Sequence, residues 1–335
     1  MSLSPPKDQI SVAVAGESLI DLIALPNRSY LSCMGGAPYN LARALARQEV
    51  KTLYLNPLSS DHFGRALAHQ LQHDGVYAVP GEPVKQATSL AVVNLNEMGH
   101  PEYAFYRDGV ADRQVTAAGL SHACDLYPGL KIVCTGALAL DPRDASVYLP
   151  WLRAQRKAGC MVVVDANLRP SAMHDVTAYR QHVFTALAHA DLIKVSDEDL
   201  LHLGLGGVDA IQGARTLLQN SGASMLALTL GAAGAWLLTP DNQWHAREMA
   251  HVPVVDTVGA GDCFLAGLLA ALLSLQAQQK TKQALLSGLG SSQLRSLLRH
   301  ALASASLCVQ QQGCVPPSWQ ETLKWSLTHA VSSES

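Results

Sequence analysis

Positive charge is scarce in this chain. Its 335 residues carry 24 Lys and Arg against 27 Asp and Glu, and charged residues make up only 15%. Without a basic stripe there is no electrostatic footprint for nucleic acid, and aromatics at 5% leave little surface on which bases could stack. Long apolar runs are missing as well. A run such as Leu268–Leu273 is far too short to span a membrane. The opening residues Met1–Gln9 lack the apolar core of a signal peptide, so a cytoplasmic protein that meets small molecules rather than nucleic acid or membrane is expected.

Paired cysteines are also lacking. The seven, at positions 33, 124, 134, 160, 263, 308 and 314, are odd in number, and no two are spaced C-x-x-C. Buried free thiols are expected, not a disulfide framework or a metal site. His69 and His73 would share a helix face, but no third ligand stands nearby, so they are not read as a zinc site. Two nucleotide motifs are absent: there is no G-x-x-x-x-G-K-[ST], and no G-x-G-x-x-G follows the first strand. A nucleotide site here is therefore not a Walker loop, and a dinucleotide-dependent dehydrogenase is disfavoured.

What is present alternates. Ile10–Ala15, Leu53–Leu58, Lys131–Thr135, Met161–Asp165, Asp191–Val195 and Met225–Leu230 read as apolar strands. Pro38–Arg47, Gly64–His73, Ser146–Lys157, Tyr179–His189 and Ala210–Asn220 read as helices between them. This rhythm predicts an α/β fold with a Rossmann-like, mostly parallel central sheet flanked by helices. Such sheets bind ligands outside the carboxyl ends of their strands. Thr88–Asn96 and Glu102–Arg107, joined by the turn-rich 97–101, break the rhythm as a hairpin. With Leu19–Leu25 and Ser29–Cys33 they predict a small β-sheet lid. Residues 276–293, rich in Gln, Ser, Lys and Gly, read as a solvated loop before a helix around Leu294–Val309.

The most informative run is Val255-Asp256-Thr257-Val258-Gly259-Ala260-Gly261-Asp262, which leads into the apolar stretch 263–272. Glycines let a ligand approach the backbone, and the free amides at a helix start attract an anion. Asp262 stands where a proton acceptor would have to stand beside that anion, which suggests phosphoryl transfer to an alcohol. Gly35-Gly36-Ala37-Pro38-Tyr39-Asn40 is a second glycine turn into a helix, with Pro38 suited to the first turn and Asn40 able to donate and accept. Asp21 follows the first strand and could accept from sugar hydroxyls. Arg169, after the strand ending at Asp165, could serve as a fixed cation. Thr229-Leu230-Gly231-Ala232-Ala233-Gly234 permits either a nucleotide or a tight hairpin close to the backbone.

Together these residues resemble the ribokinase-like sugar kinases, the phosphofructokinase-B family. Gly35-Gly36-Ala37-Pro38-x-Asn40 looks like the first family signature, and Asp256-Thr257-x-Gly259-Ala260-Gly261-Asp262 like the second. Gly16-Glu17-x-Leu19-Ile20-Asp21 and Tyr106-Arg107-Asp108-Gly109-x-Ala111-Asp112 look most like bacterial fructokinases. The resemblance implies a single kinase domain over residues 10–320, with a lid from segments near 19–33 and 88–112. It implies ATP as co-substrate, Mg²⁺, and in many relatives K⁺ near Asp256 and the loop around Gly313. Asp262 matches the base, and Gly259, Ala260 and Gly261 the anion hole. Asp21, Gly35, Gly36 and Asn40 match positions around the sugar, with Arg107 on the lid and Arg169 as further contacts. Lys194, Thr229, Gly231 and Thr257 fall on the ATP side.

Ser196-Asp197-Glu198-Asp199 stands where many relatives have N-x-x-E, so Asp199 would reach a hydrated Mg²⁺ through water. Tyr39 replaces a usually small residue and is expected to alter the sugar pocket. Cys263 is expected to be buried and without function. A lid strand such as Leu90–Leu95 could pair across a homodimer or equally stay within one subunit. Fructose is the acceptor the resemblance favours. A 2-keto-3-deoxygluconate kinase, and a non-catalytic sugar-binding regulator on the same fold, are the alternatives.

Overall fold

The computed structural model describes residues 8–25, 27–95, 101–207, 209–275, 286 and 289–334. In chain order the strands are β1 (Val12–Val14), β2 (Leu19–Ala24), β3 (Tyr30–Gly35), β4 (Thr52–Tyr54), β5 (Tyr77–Ala78), β6 (Ser89–Leu95), β7 (Pro101–Tyr106), β8 (Ile132–Gly136), β9 (Met161–Asp165), β10 (Leu192–Ser196), β11 (Met225–Thr229), β12 (Ala235–Leu238), β13 (Gln243–Glu248) and β14 (Val331–Glu334). The helices are α1 (Ala37–Arg47), α2 (His62–His73), α3 (Ala117–Asp125), α4 (Ala145–Lys157), α5 (Val176–Leu187), α6 (Asp197–Leu203), α7 (Ala210–Ser221), α8 (Ala260–Leu275), α9 (Ser291–Cys308) and α10 (Trp319–Thr328).

Ten strands form the large sheet in the order β14-β13-β12-β11-β10-β9-β8-β1-β4-β5. It is parallel from β5 to β11 and antiparallel beyond. Its central strands β1, β8 and β9 are buried at every position and mostly apolar because both faces are covered. Val12, Val14, Met161 and Val163 pack with α1, α8 and α9 on one side, while Ala13, Val162, Val164 and Ile193 pack with α3, α4, α5 and α7 on the other. The chain runs outward from β1 to β4 and β5, then resumes at β8 on the opposite flank of β1. The switch point between β1 and β8 is where an open α/β sheet leaves a crevice.

A separate four-stranded sheet, β3-β2-β6-β7, contains the two irregular regions of the sequence. Its outer pairs are antiparallel and its central pair, β2 with β6, is parallel. Phe105 on β7 and Met173 after β9 both pack against the cluster of Leu19, Ala91 and Leu138, which seats this sheet on the turns after β8 and β9.

The expected strands appear with ends shifted by a few residues. Leu53–Leu58 is shortened most, because the chain leaves the sheet after Tyr54. Short or exposed elements such as β5, α3, α6, α10 and β14 carry little periodic signal and escape sequence reading. The turn at 97–100 lies outside the described residues, as does most of 276–293. Within that stretch Leu286 is helical and α9 starts at Ser291, earlier than Leu294. Among the described residues no helix is long and apolar enough to cross a membrane.

Candidate active site

The loop after β13 turns into α8 at Gly259, which adopts φ +79°. An L side chain rarely holds that conformation, and a Cβ there would overlap the Cys314 thiol. The amides at the head of α8 have no intrahelical acceptor and make an anion-attracting end. Eleven consecutive residues of α8, Asp262–Leu272, are buried, so its head is held by packing on several sides.

Asp262 sits in the first turn and is only 6% exposed. A helix dipole alone would favour its ionised form. The outcome is the reverse: burial, then the charge of Asp165, pushes its carboxyl up to about 7, against the pull of Lys194, the Asn40 hydrogen bond and Arg169. Desolvation outweighs the dipole.

The two glycine signatures, remote in sequence, meet here. Asn40 Nδ2 on α1 donates to Asp262 Oδ2 at 3.1 Å. Its Oδ1 is buried with no partner among the described residues, an acceptor available to a ligand hydroxyl. Gly36, with φ +105°, caps α1, and a Cβ there would stand 2.6 Å from the Glu17 carbonyl. Glu17 Oε1 in turn accepts from Ala37 N at 3.2 Å. Asp21 on β2 lies against Gly35 of β3, and burial pushes its carboxyl up to about 6 despite the opposing charge of Arg169.

Arg169 occupies an exposed turn after β9 and donates to the carbonyls of Asn167 and Leu168. Its charge acts on Asp21, Asp165 and Asp262 together, so it faces the same crevice. Lys194 lies beneath the glycine turn. It is 4% exposed, its Nζ is 3.0 Å from Asp165 Oδ1, and a Cβ on Gly261 would stand 2.9 Å from that Nζ. Burial works against its charge, but Asp165, Asp199 and Asp262 outweigh it and keep Lys194 protonated.

Thr229 ends β11, and Gly231 begins an exposed turn. That turn also closes the β11–β12 hairpin, the second reading its glycines allowed. Thr257 is exposed, and its carbonyl accepts from Ala260 N at 3.2 Å. Asp256 staples two loops: its Oδ1 accepts from Val258 N at 3.0 Å and its Oδ2 from Gly313 N at 2.9 Å.

Two expectations are corrected, those for Arg107 and Tyr39, and the one for Asp199 is narrowed. Asp199 does not present free oxygens. Its Oδ2 accepts from Ser196 N at 2.8 Å in a capping box, and its Oδ1 from Leu168 N at 2.7 Å, so it ties α6 to the turn that carries Arg169. Arg107 follows β7 but is 4% exposed, within 3.6 Å of Asp141 and 4.0 Å of Asp144. It belongs to a buried ionic knot with Glu17 and Asp112, not to an open lid surface. Tyr39 points away from the crevice. It is fully buried, its hydroxyl donates to the Leu67 carbonyl at 3.1 Å, and its ring meets Tyr54 edge-on at 6.2 Å.

Sequence reasoning missed other groups. Asp165 is in the site, its carboxyl raised to about 6 chiefly by burial. Its position at the end of an apolar strand was the available signal. Tyr103 on β7 is 44% exposed, stacked on Phe105, and within reach of the charges of Asp21 and Arg169. Among the described residues, the cysteines at 263, 308 and 314 bring their sulfurs within 4.8 Å of one another beside Gly259. Nothing in their spacing announces that.

Residues 9–321 match the family described as pfkB family carbohydrate kinase. The chain belongs to this family. It is thus a carbohydrate kinase by descent, with the expected ribokinase-like architecture. It is 33% identical over 265 residues to a fructokinase of Rhizobium leguminosarum bv. trifolii, covering 78% of this chain and 79% of that one. Among solved structures, the ATP-bound fructokinase of Xylella fastidiosa superposes with a TM-score of 0.83 at 28% identity, covering 95% of this chain and 98% of that one. A double-mutant fructokinase of Vibrio cholerae O395, bound to fructose, ADP and potassium ion, gives 0.76 at 25%, with coverages of 96% and 99%.

Proposed function

We propose that this carbohydrate kinase transfers the γ-phosphoryl group of ATP to fructose, at the O6 hydroxyl. The observation that carries the reading is the Asn40–Asp262 hydrogen bond, which joins the sugar-side turn to the acid at the head of α8. A hydroxyl held there by Asn40 and Asp21 lies beside the acid that must take its proton. Asp262, raised to about 7, is a better base than an ordinary carboxylate and is still partly ionised at neutral pH. Phosphoryl transfer leaves little covalent work to the protein, so positioning and charge neutralisation carry the catalysis. The amides of Gly259 and Gly261 cradle the transferring group, that of Ala260 being taken by the Thr257 carbonyl, and Lys194 beneath Gly261 adds fixed positive charge. Arg169 supplies a second cation at the mouth. The small sheet, with Tyr103 facing the crevice, serves as a lid that keeps water from competing as acceptor.

Mg²⁺ fits the acidic floor formed by Asp165 and Asp199, reached through its own waters because both oxygens of Asp199 already accept amides. When bound it neutralises phosphate charge. A monovalent cation is assigned to the neighbourhood of Asp256, the carboxylate that joins the glycine turn to the loop at Gly313 by accepting an amide from each. Thr229, Gly231 and Thr257 line the nucleotide side.

A panel of sugars and sugar acids with coupled ADP detection tests the substrate. Fructose should give the highest kcat/KM. A higher value for 2-keto-3-deoxygluconate or another acceptor would overturn the assignment. Sugar binding without ADP formation under Mg²⁺ and K⁺ would instead favour a regulator.

A further inference from the structure

We infer that Cys263, Cys308 and Cys314 form a three-thiolate site for a soft divalent cation, and that filling it disturbs the phosphate cradle. The three sulfurs lie within 4.8 Å of one another. Zinc–sulfur bonds of about 2.3 Å place tetrahedral sulfurs about 3.8 Å apart, so a shift of an ångström or less closes the set. Thiolates select soft cations over the hard Mg²⁺ that attends the nucleotide. The ligands come from elements already locked together: Cys263 from α8, Cys308 from the last turn of α9, and Cys314 from the loop after it. That loop is stapled to the glycine turn through Asp256 and through Val309, whose carbonyl accepts from Val255 N at 2.8 Å. The site is thus preorganised without the metal.

Occupancy reaches the glycine turn by two routes. The Cys314 thiol lies directly against Gly259, where no side chain fits. Cys308 Sγ donates to the Val258 carbonyl at 3.6 Å, and deprotonation of that thiol removes the hydrogen bond. Binding is balanced as one divalent cation plus three cysteine sulfurs giving a tris-thiolate complex, each thiol proton present being released to solvent, with no redox step. The complex carries one net negative charge directly behind an anion-binding turn. Both the sulfur displacement and the added charge oppose phosphate binding. Metal binding stands apart from the kinase reading, whereas its effect on phosphate rests on that reading.

The experiment uses the full chain carrying Cys33→Ser, which removes the half-buried thiol on β3 as a competing ligand. Titration with Cd²⁺ should show thiolate-to-metal charge transfer saturating at one equivalent. Cys308→Ala and Cys314→Ser should each weaken binding by more than about 100-fold, since even loss of a supporting hydrogen bond costs 10- to 100-fold. Unchanged Cd²⁺ affinity in both variants would overturn the site. After free metal is removed by gel filtration, calorimetry should show ATP binding weakened at least about tenfold in the loaded protein, a loss of roughly 1.4 kcal/mol. Equal ATP affinity for loaded and metal-free protein would overturn the coupling. Normal ATP binding by metal-free protein that phosphorylates no sugar would refute the kinase reading and leave the metal site standing.

Discussion

Asp262 concentrates the chemistry. Asp262→Asn keeps the shape and the Asn40 neighbour but removes the base. It should lower kcat by about 1,000-fold or more while ATP still binds. Near-normal turnover would remove Asp262 from the base role. Because burial raises its carboxyl to about 7, ionisation, and with it kcat/KM, should climb as pH rises through that region and level off above it. A profile already flat from pH 5 would contradict the raised value. Gly259 is constrained twice, by its φ of +79° and by the Cys314 thiol. Gly259→Ala should cost about 1–3 kcal/mol of stability by denaturant titration and impair ATP turnover. Adding Cys314→Gly should restore part of the stability, because it relieves the overlap but not the backbone strain.

At the scale of elements, the site depends on joints between helices and loops. Asp199 joins α6 to the Arg169 turn through two amides, those of Ser196 and Leu168. Asp199→Ala should lower stability by about 1–3 kcal/mol, as loss of a buried cap and an unsatisfied amide predict. It should also raise the sugar KM more than that for ATP, because the turn bearing Arg169 is released. Equal effects on both KM values would contradict a role in holding Arg169. Capping boxes of this kind are legible as S-x-x-D once a helix start is suspected, but α6 is too short to announce itself by periodicity. The long apolar strands, by contrast, were legible because burial on both faces forces near-uniform hydrophobicity.

Across the whole molecule, several carboxyls are held protonated more strongly than in an unfolded chain. Asp262 and Glu17 are raised to about 7, and Asp21 and Asp165 to about 6, in each case chiefly by burial. A folded pKa above the unfolded value stabilises most below the unfolded pKa and loses that contribution as pH rises through the folded one. The apo protein should therefore lose thermal stability as pH rises from about 6.5 to 8. His300, lowered by burial to about 4, works in the opposite direction, but most of its gain falls below about 6.5 and it levels off near about 7.5. Asp262→Asn should flatten the fall; identical slopes for the two proteins would refute the Asp262 share.

The alternation of strand and helix, the two glycine turns, Asp262 as the acid at a helix head, and the family are all legible in the chain. Each is a local pattern whose backbone or burial demand is written in adjacent residues. It takes the packed molecule to show that Asn40 meets Asp262, that Arg107 is enclosed among acids, that Tyr39 faces the core, and that three cysteines converge behind Gly259. Those facts depend on how α1, α8 and α9 pack across the sheet. Contacts between distant segments leave no periodic trace in the chain.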